Sequence, residues 1–143
     1  MLAHPKRSIH QGAVFGRVPI AWLPLPLWVV QAKARPVVVL SPYRELRHLR
    51  QVRVVPLYSY RSDSSLGRLR PAIEAGELAG AFHLAGDAGL GIEDGVLRLD
   101  QMQSIHVHFL SDQIASLTDA AFAGLVNRIA RYVQVLDRRP LSA

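Results

Sequence analysis

The sequence predicts one domain that is mainly β, an α+β fold in which a run of short strands is closed by a single C-terminal helix. Three observations predict it. Half of the 143 residues are apolar and a fifth are charged, the balance of an ordinary domain with enough apolar mass for a core. The apolar residues before position 100 come in short β-branched runs broken by Gly, Pro and Ser, whereas residues 118–136 carry an apolar stripe at helical spacing. Cysteine is absent, which excludes a disulfide framework, a thiolate zinc site and a cysteine nucleophile. Residues 1–143 are thus expected to form a single domain, with 1–11 a flexible N-terminal arm and 137–143 a flexible tail.

In chain order, residues 12–18 suit a first strand. The apolar run from Pro19 to Val30 follows Lys6, Arg7 and Arg17 and imitates an export signal. However, Pro19, Pro24 and Pro26 would break a helical apolar core, and the run is too short for a membrane span of roughly 20 residues. It reads better as a loop held extended by its prolines, with Trp22 and Trp28 packing on the domain or on a partner. A cytoplasmic location without membrane contact is the expectation.

Residues 35–40, Arg35-Pro36-Val37-Val38-Val39-Leu40, are a continuous β-branched run of the kind buried on both faces. Residues 51–57 make the next strand, with Pro56 marking an edge or a bulge. Arg44 to Arg50 suit a short helix or a basic loop. Residues 66–85 combine a helix-forming composition with Gly76, Gly80 and a proline at 71 that opposes helix at that point, and the pattern assigns them no element.

The Gly- and Asp-rich stretch 86–95 reads as a hairpin connection, because its glycines lack dinucleotide-fingerprint spacing. Residues 96–100 alternate apolar and charged, so a strand there would place Arg98 and Asp100 on one face. His106 and His108 would likewise share a strand face, but two imidazoles fall short of the three or four ligands of a metal site, and no metal or cofactor is expected. Thr118 suits the cap of a helix whose apolar stripe is Phe122, Leu125, Val126, Ile129, Val133 and Leu136.

The charge is +6 overall but unevenly spread. Residues 1–43 carry five basic groups and no acid, residues 44–70 carry seven Arg against Glu45 and Asp63, and residues 71–143 are net acidic. Fifteen of the 17 basic residues are Arg, whose flat fork of donors matches phosphate oxygens in pairs. A polyanionic partner is one reading of this balance, and a general enrichment in Arg is the other.

Four stretches, in their order and spacing, carry a family resemblance. These are Lys33-Ala34-Arg35-Pro36-Val37-Val38-Val39-Leu40-Ser41-Pro42, the strand Val54-Val55-Pro56-Leu57-Tyr58-Ser59, the segment from Val96 through Arg98, Asp100 and Gln101 to Ile105, and Ile114 to Thr118 feeding the closing helix. Over roughly residues 12–136 the chain resembles the MazF/PemK/Kid toxin endoribonucleases. The resemblance implies an SH3-like β-barrel with a C-terminal helix, a homodimer that cleaves single-stranded RNA without metal, and neutralisation by a cognate antitoxin.

Position by position, the resemblance implies catalytic roles for Arg35 and Ser59, which match the MazF-like pattern, and for Arg98 and Asp100, which match the Arg-x-Asp-Gln pattern of the Kid/PemK branch. Gln31, Lys33, Arg61 and Gln101 are the expected substrate-binding residues. The chain departs from the family in its first loop, which usually reads Gly-x-Glu-Gln-x-Gly; here only Gln31 is kept, and the loop glycines and a helpful histidine are missing.

Elementary chemistry refines these roles. RNA cleavage needs a base for the 2′-hydroxyl proton, positive charge around the transferring phosphate and a proton for the departing 5′ oxygen. Asp100 is the base candidate, though a carboxylate beside an arginine is a weak one. A guanidinium is a poor literal acid, so Arg35 and Arg98 suit charge stabilisation, with water or Ser59 delivering the proton. Two rival functions share the fold: a CcdB-like gyrase inhibitor, against which the ending Asp137-Arg138-Arg139-Pro140-Leu141-Ser142-Ala143 speaks because it lacks that group's Trp-Gly-Ile type terminus, and a weakened member that only binds RNA or antitoxin.

Overall fold

The computed structural model describes residues 1–5, 9–21, 32–42, 50–110 and 112–138. Eight strands pair antiparallel throughout: β1 (Leu2–Ala3), β2 (Ala13–Ala21), β3 (Ala32–Val39), β4 (Gln51–Ser59), β5 (Ala81–Leu84), β6 (Gly95–Arg98), β7 (Gln103–His106) and β8 (Asp112–Leu117). Among the described residues there are also two α-helices, α1 (Ser64–Glu74) after β4 and α2 (Asp119–Arg138) after β8. The strand order is β1-β8-β2-β3-β4-β6-β5, with β7 also on β4. The result is a curled, half-barrel sheet with a C-terminal helix, as the resemblance implied.

The curl has a local cause. The first half of β4 pairs with β7 (Gln51↔His106 to Val54↔Gln103), and its second half pairs with β6 (Leu57↔Leu97 to Ser59↔Gly95). Pro56 sits where the partner changes, so its missing N–H is not required by either ladder. Pro56 is thus neither at an edge nor in a bulge, contrary to what its position in the sequence implied; it is paired with Val37 inside the sheet and tolerated because it marks the branch point where the other neighbour changes. A second irregularity lies in β2, where the register with β3 slips between Phe15 and Val18 and Arg17 takes a left-handed φ of 53°. This bulge bends β2 just before the pair Val18↔Arg35.

Val37, Val38 and Val39 are fully buried, so β3 is covered on both faces as its β-branched run predicted. One cluster, including Val38, Val55, Leu57, Leu97, Leu117 and Leu125, lies beneath α2. Phe15, Val37, Val39, Val52 and Val54 form another on the opposite face of the sheet. A third, with Tyr58, Tyr60, Leu66, Ile73 and Val96, lies beneath α1.

Several elements differ from expectation. Within residues 66–85, α1 begins earlier, at Ser64, where the Asp63 side chain accepts from the Ser65 N–H at 2.8 Å. It runs through Pro71, whose ring stands on the exposed side and precedes the helix end by one turn. Gly76 follows in the left-handed region at φ 74°, and a Cβ there would meet the Arg128 Nη2 at 2.6 Å. That arginine reaches from α2 to the carbonyl oxygens of Gly76, Leu78 and Ala81 at 3.1–3.4 Å, stitching the helix to the loop after α1.

The buried stripe of α2 is rotated from the expected one. Leu125 is fully buried and Ala121, Phe122, Ile129 and Tyr132 pack around it, but Val126 and Val133 are 44% and 46% exposed. Spacing alone admits both faces, and the sheet selects the one that meets Leu84, Leu97 and Leu117. The side chain of Leu136 lies outside the described residues, as do the loop with Trp22 and Trp28 and the segment 43–49. Thr118 caps α2 as predicted, its Oγ1 accepting from the Ala121 N–H at 3.2 Å. In the stretch expected as an arm, Leu2–Ala3 pair with β8, and Met1 O accepts from Thr118 N–H at 3.0 Å. Residues 86–95 connect the antiparallel pair β5 and β6, as a hairpin connection should.

Candidate active site

The β3–β4 register, Val37↔Pro56, carries forward two residues to bring Arg35 opposite Tyr58. On the other side Tyr58 pairs with Val96, and Arg98 follows two residues along the same face of β6. Both guanidiniums consequently meet one ring: the Arg35 Cζ stands 3.9 Å and the Arg98 Cζ 5.2 Å from the Tyr58 centroid. Two like charges are held near each other because the negative face of an aromatic ring attracts both. Tyr58 is almost fully buried, and burial pushes its hydroxyl above the usual 10.0, against the opposing pull of Arg35 and then Arg98.

Asp100 joins them by a route the alternation did not foresee. β6 ends at Arg98, and residues Leu99–Gln101 form a 3₁₀ turn, so Asp100 is not a strand residue. The turn nevertheless folds its carboxylate back onto Arg98 in a two-point contact, Nε to Oδ1 at 3.2 Å and Nη2 to Oδ2 at 2.6 Å. The Arg98 side chain is 19% exposed and Asp100 38%, so the pair is only partly open to solvent. The arrangement offers two cations and one carboxylate around a small patch of surface, suited to an anion that must gain negative charge as it reacts.

Of the remaining expected residues, Ser59 shares a cleft with Arg35 and the others fall elsewhere. Ser59 follows Tyr58 in β4 and so projects from the opposite face; its Oγ accepts the Arg61 N–H at 3.1 Å. It lines a cleft of about 250 Å³ together with Arg35, Ile92, Glu93 and Ile114. Lys33 is exposed on β3. Arg61 is exposed and bridges to Glu93 at 2.8 Å. Gln101, expected at the substrate, is turned inward by the 3₁₀ turn and is 3% exposed. Gln31 lies outside the described residues. His108 also lies in a 3₁₀ turn, Val107–Phe109, not in a strand, yet its Nδ1 comes 2.6 Å from the Nδ1 of His106. Among the described residues no three His, Asp or Glu side chains gather as a metal site would require.

Sequence reasoning missed Tyr58, whose neighbour Ser59 drew the attention. The only available signal was alternation, which puts Tyr58 and Ser59 on opposite faces of β4, and deciding which of them lies under Arg35 needs the strand register. It also missed a second cleft of about 600 Å³ beyond Ser59, where Arg70 lies on the Tyr60 ring at 4.5 Å and is held by Glu74 at 2.6 Å and Asp94 at 2.8 Å.

The described chain contains no helix long and apolar enough to cross a membrane. In fold it is similar to several solved structures. One is MazF from Deinococcus radiodurans, at 18% identity and a TM-score of 0.58, with 90% of this chain and 99% of that one covered. Another is the MazE-MazF structure from the same organism, at 17% identity and a TM-score of 0.58, covering 88% and 96%. A third is an endoribonuclease in complex with its cognate antitoxin from a mycobacterial species, at 16% identity and a TM-score of 0.57, covering 89% and 96%. No curated protein matches the chain. The profile of the PemK-like, MazF-like toxins of type II toxin-antitoxin systems matches residues 16–133, and with most of the chain inside that match, the protein belongs to this toxin family.

Proposed function

We propose that the chain is an endoribonuclease that cuts single-stranded RNA by attack of a ribose 2′-hydroxyl on the adjacent phosphodiester, needing no metal ion. The observation that carries the reading is the convergence of Arg35 and Arg98 on Tyr58, with Asp100 fixed to Arg98. In the step, the 2′ oxygen loses its proton and bonds to phosphorus while the bond to the 5′ oxygen breaks, leaving a 2′,3′-cyclic phosphate and a 5′-hydroxyl. Asp100 is the acceptor for the 2′ proton. Arg35 and Arg98 stabilise the charge that builds on the phosphoryl oxygens, a task for which a guanidinium's paired donors are well shaped. Proton delivery to the departing oxygen falls to water or to Ser59, which lines the same cleft as Arg35. Lys33 meets a flanking phosphate from its exposed position on β3, and Arg61, also exposed, meets the strand farther along.

The same reading makes the protein the toxin of a pair, a cytoplasmic homodimer silenced by a cognate antitoxin. Family membership and the antitoxin-bound relatives support this part. The test is incubation of the purified protein with an end-labelled single-stranded RNA, with and without EDTA. Cyclic-phosphate products in both tubes, lost in Arg98→Ala and Asp100→Ala proteins that remain folded, are expected. Unchanged cleavage in either variant refutes the assignment, and RNA binding without products refutes the nuclease.

A further inference from the structure

The geometry points to the second cleft, beyond Ser59, as a pocket for one base of the RNA strand, with guanine as the base it selects. This deepens the nuclease reading and rests on it. The two clefts share Ser59, Glu93 and Asp94 in their walls, so a strand whose phosphate lies at Arg35 has a continuous path from one to the other.

The pocket supplies a surface to stack on. The guanidinium of Arg70 rests on the Tyr60 ring and is tied at its Nε and Nη2 by Glu74 and Asp94, which hold its plane fixed. Tyr60 is itself anchored by the 2.6 Å hydrogen bond between its hydroxyl and the His83 Nδ1. Asp94 is fixed in turn by accepting the Gly86 N–H at 2.7 Å. An immobilised guanidinium plane, half open to solvent, is a platform on which a nucleobase stacks.

It also supplies an edge to read. Glu93 and Arg61 face each other at 2.8 Å and are both well exposed, so the pair contributes little as it stands and yields readily to a ligand. A carboxylate beside a guanidinium presents two acceptors next to a row of donors. Of the four bases, only guanine offers the complement, two adjacent N–H donors at N1 and N2 followed by the O6 acceptor. Uracil presents carbonyls on both sides of its single N–H and would set one of them against the carboxylate. The walls carry two acidic and two basic side chains, a balance that suits a neutral base better than a phosphate.

The test uses short 2′-deoxyuridine strands, which the proposed chemistry cannot cut, each carrying a single guanine, hypoxanthine or adenine at one position in turn. Binding to the full chain is read by fluorescence anisotropy. Guanine at one position should tighten binding about tenfold over uracil. Hypoxanthine, which lacks the 2-amino group, should lose most of that gain. Glu93→Gln should abolish the distinction, whereas Glu77→Gln, at an exposed carboxylate outside the cleft, should keep it. No base preference in the wild type, or a preference that survives Glu93→Gln, overturns the pocket. The all-ribose versions of the same strands test the nuclease separately: cleavage without guanine preference removes the pocket and leaves the nuclease, and guanine-selective binding without cleavage does the reverse.

Discussion

Replacing Tyr58 by leucine removes the ring on which both site arginines rest while keeping an apolar side chain in the core. The Arg35 contact at 3.9 Å is close, and the Arg98 contact at 5.2 Å is looser. Cation–π contacts of this kind contribute about 1–2 kcal/mol each when partly desolvated, so some 3 kcal/mol of positioning energy is at stake. If half of it is felt in the transition state, kcat falls about tenfold, since each 1.4 kcal/mol is a factor of ten. Because Tyr58 is only 2% exposed, the shortened side chain should also cost about 2–4 kcal/mol of stability.

Tyr58→Phe separates the two effects, because it retains the ring and loses only the hydroxyl. Steady-state cleavage of a fluorogenic single-stranded RNA, on protein first shown to be folded by circular dichroism, should give near wild-type kcat for Tyr58→Phe. Tyr58→Leu should show the tenfold loss in kcat with a much smaller change in KM. Equal losses in both variants would mean the hydroxyl matters and the ring does not, and a folded Tyr58→Leu protein with full kcat would refute the platform altogether.

Other consequences concern the scaffold. Leu125→Ala should destabilise the protein by about 3 kcal/mol in urea unfolding, whereas Val126→Ala should stay within roughly 0.5 kcal/mol, because only the first is buried. Tyr60→Phe should lose about 1 kcal/mol near neutral pH with the hydrogen bond to His83. Burial holds the Tyr60 hydroxyl above 10.0, so its contribution is complete below the unfolded value and is lost as pH rises through the folded one; the stability difference between wild type and variant should therefore shrink in alkali. Asp94 is held below its ordinary 3.8, first by the Gly86 N–H and then by Arg70. A depressed carboxyl stabilises above the unfolded value and ceases to as pH falls through the folded one, so Asp94→Asn should be less stable than wild type near neutrality and equal to it in strong acid.

What could be read from residues alone was whatever local physics decides. A β-branched run must be buried on both sides, hence β3. A Gly- and Asp-rich stretch must turn, hence the β5–β6 connection. A threonine before a periodic apolar stretch must cap a helix, hence the start of α2. The short motifs around Arg35 and Arg98, taken in succession, also carried the family. Register, rotation and branching belong to the tertiary structure, because each depends on contacts between segments distant in sequence. The packing of Leu125 on the sheet chose the face of α2 that is buried. The partner change at Pro56 curled β4, and its registers with β3 and β6 made Tyr58, not Ser59, the residue between the two arginines. Asp100 reached Arg98 through a turn that no alternation rule contains, since hydrogen bonds within a 3₁₀ turn ended the strand there. Side-chain period assigns a residue to one of two faces, and only a folded sheet determines what that face meets.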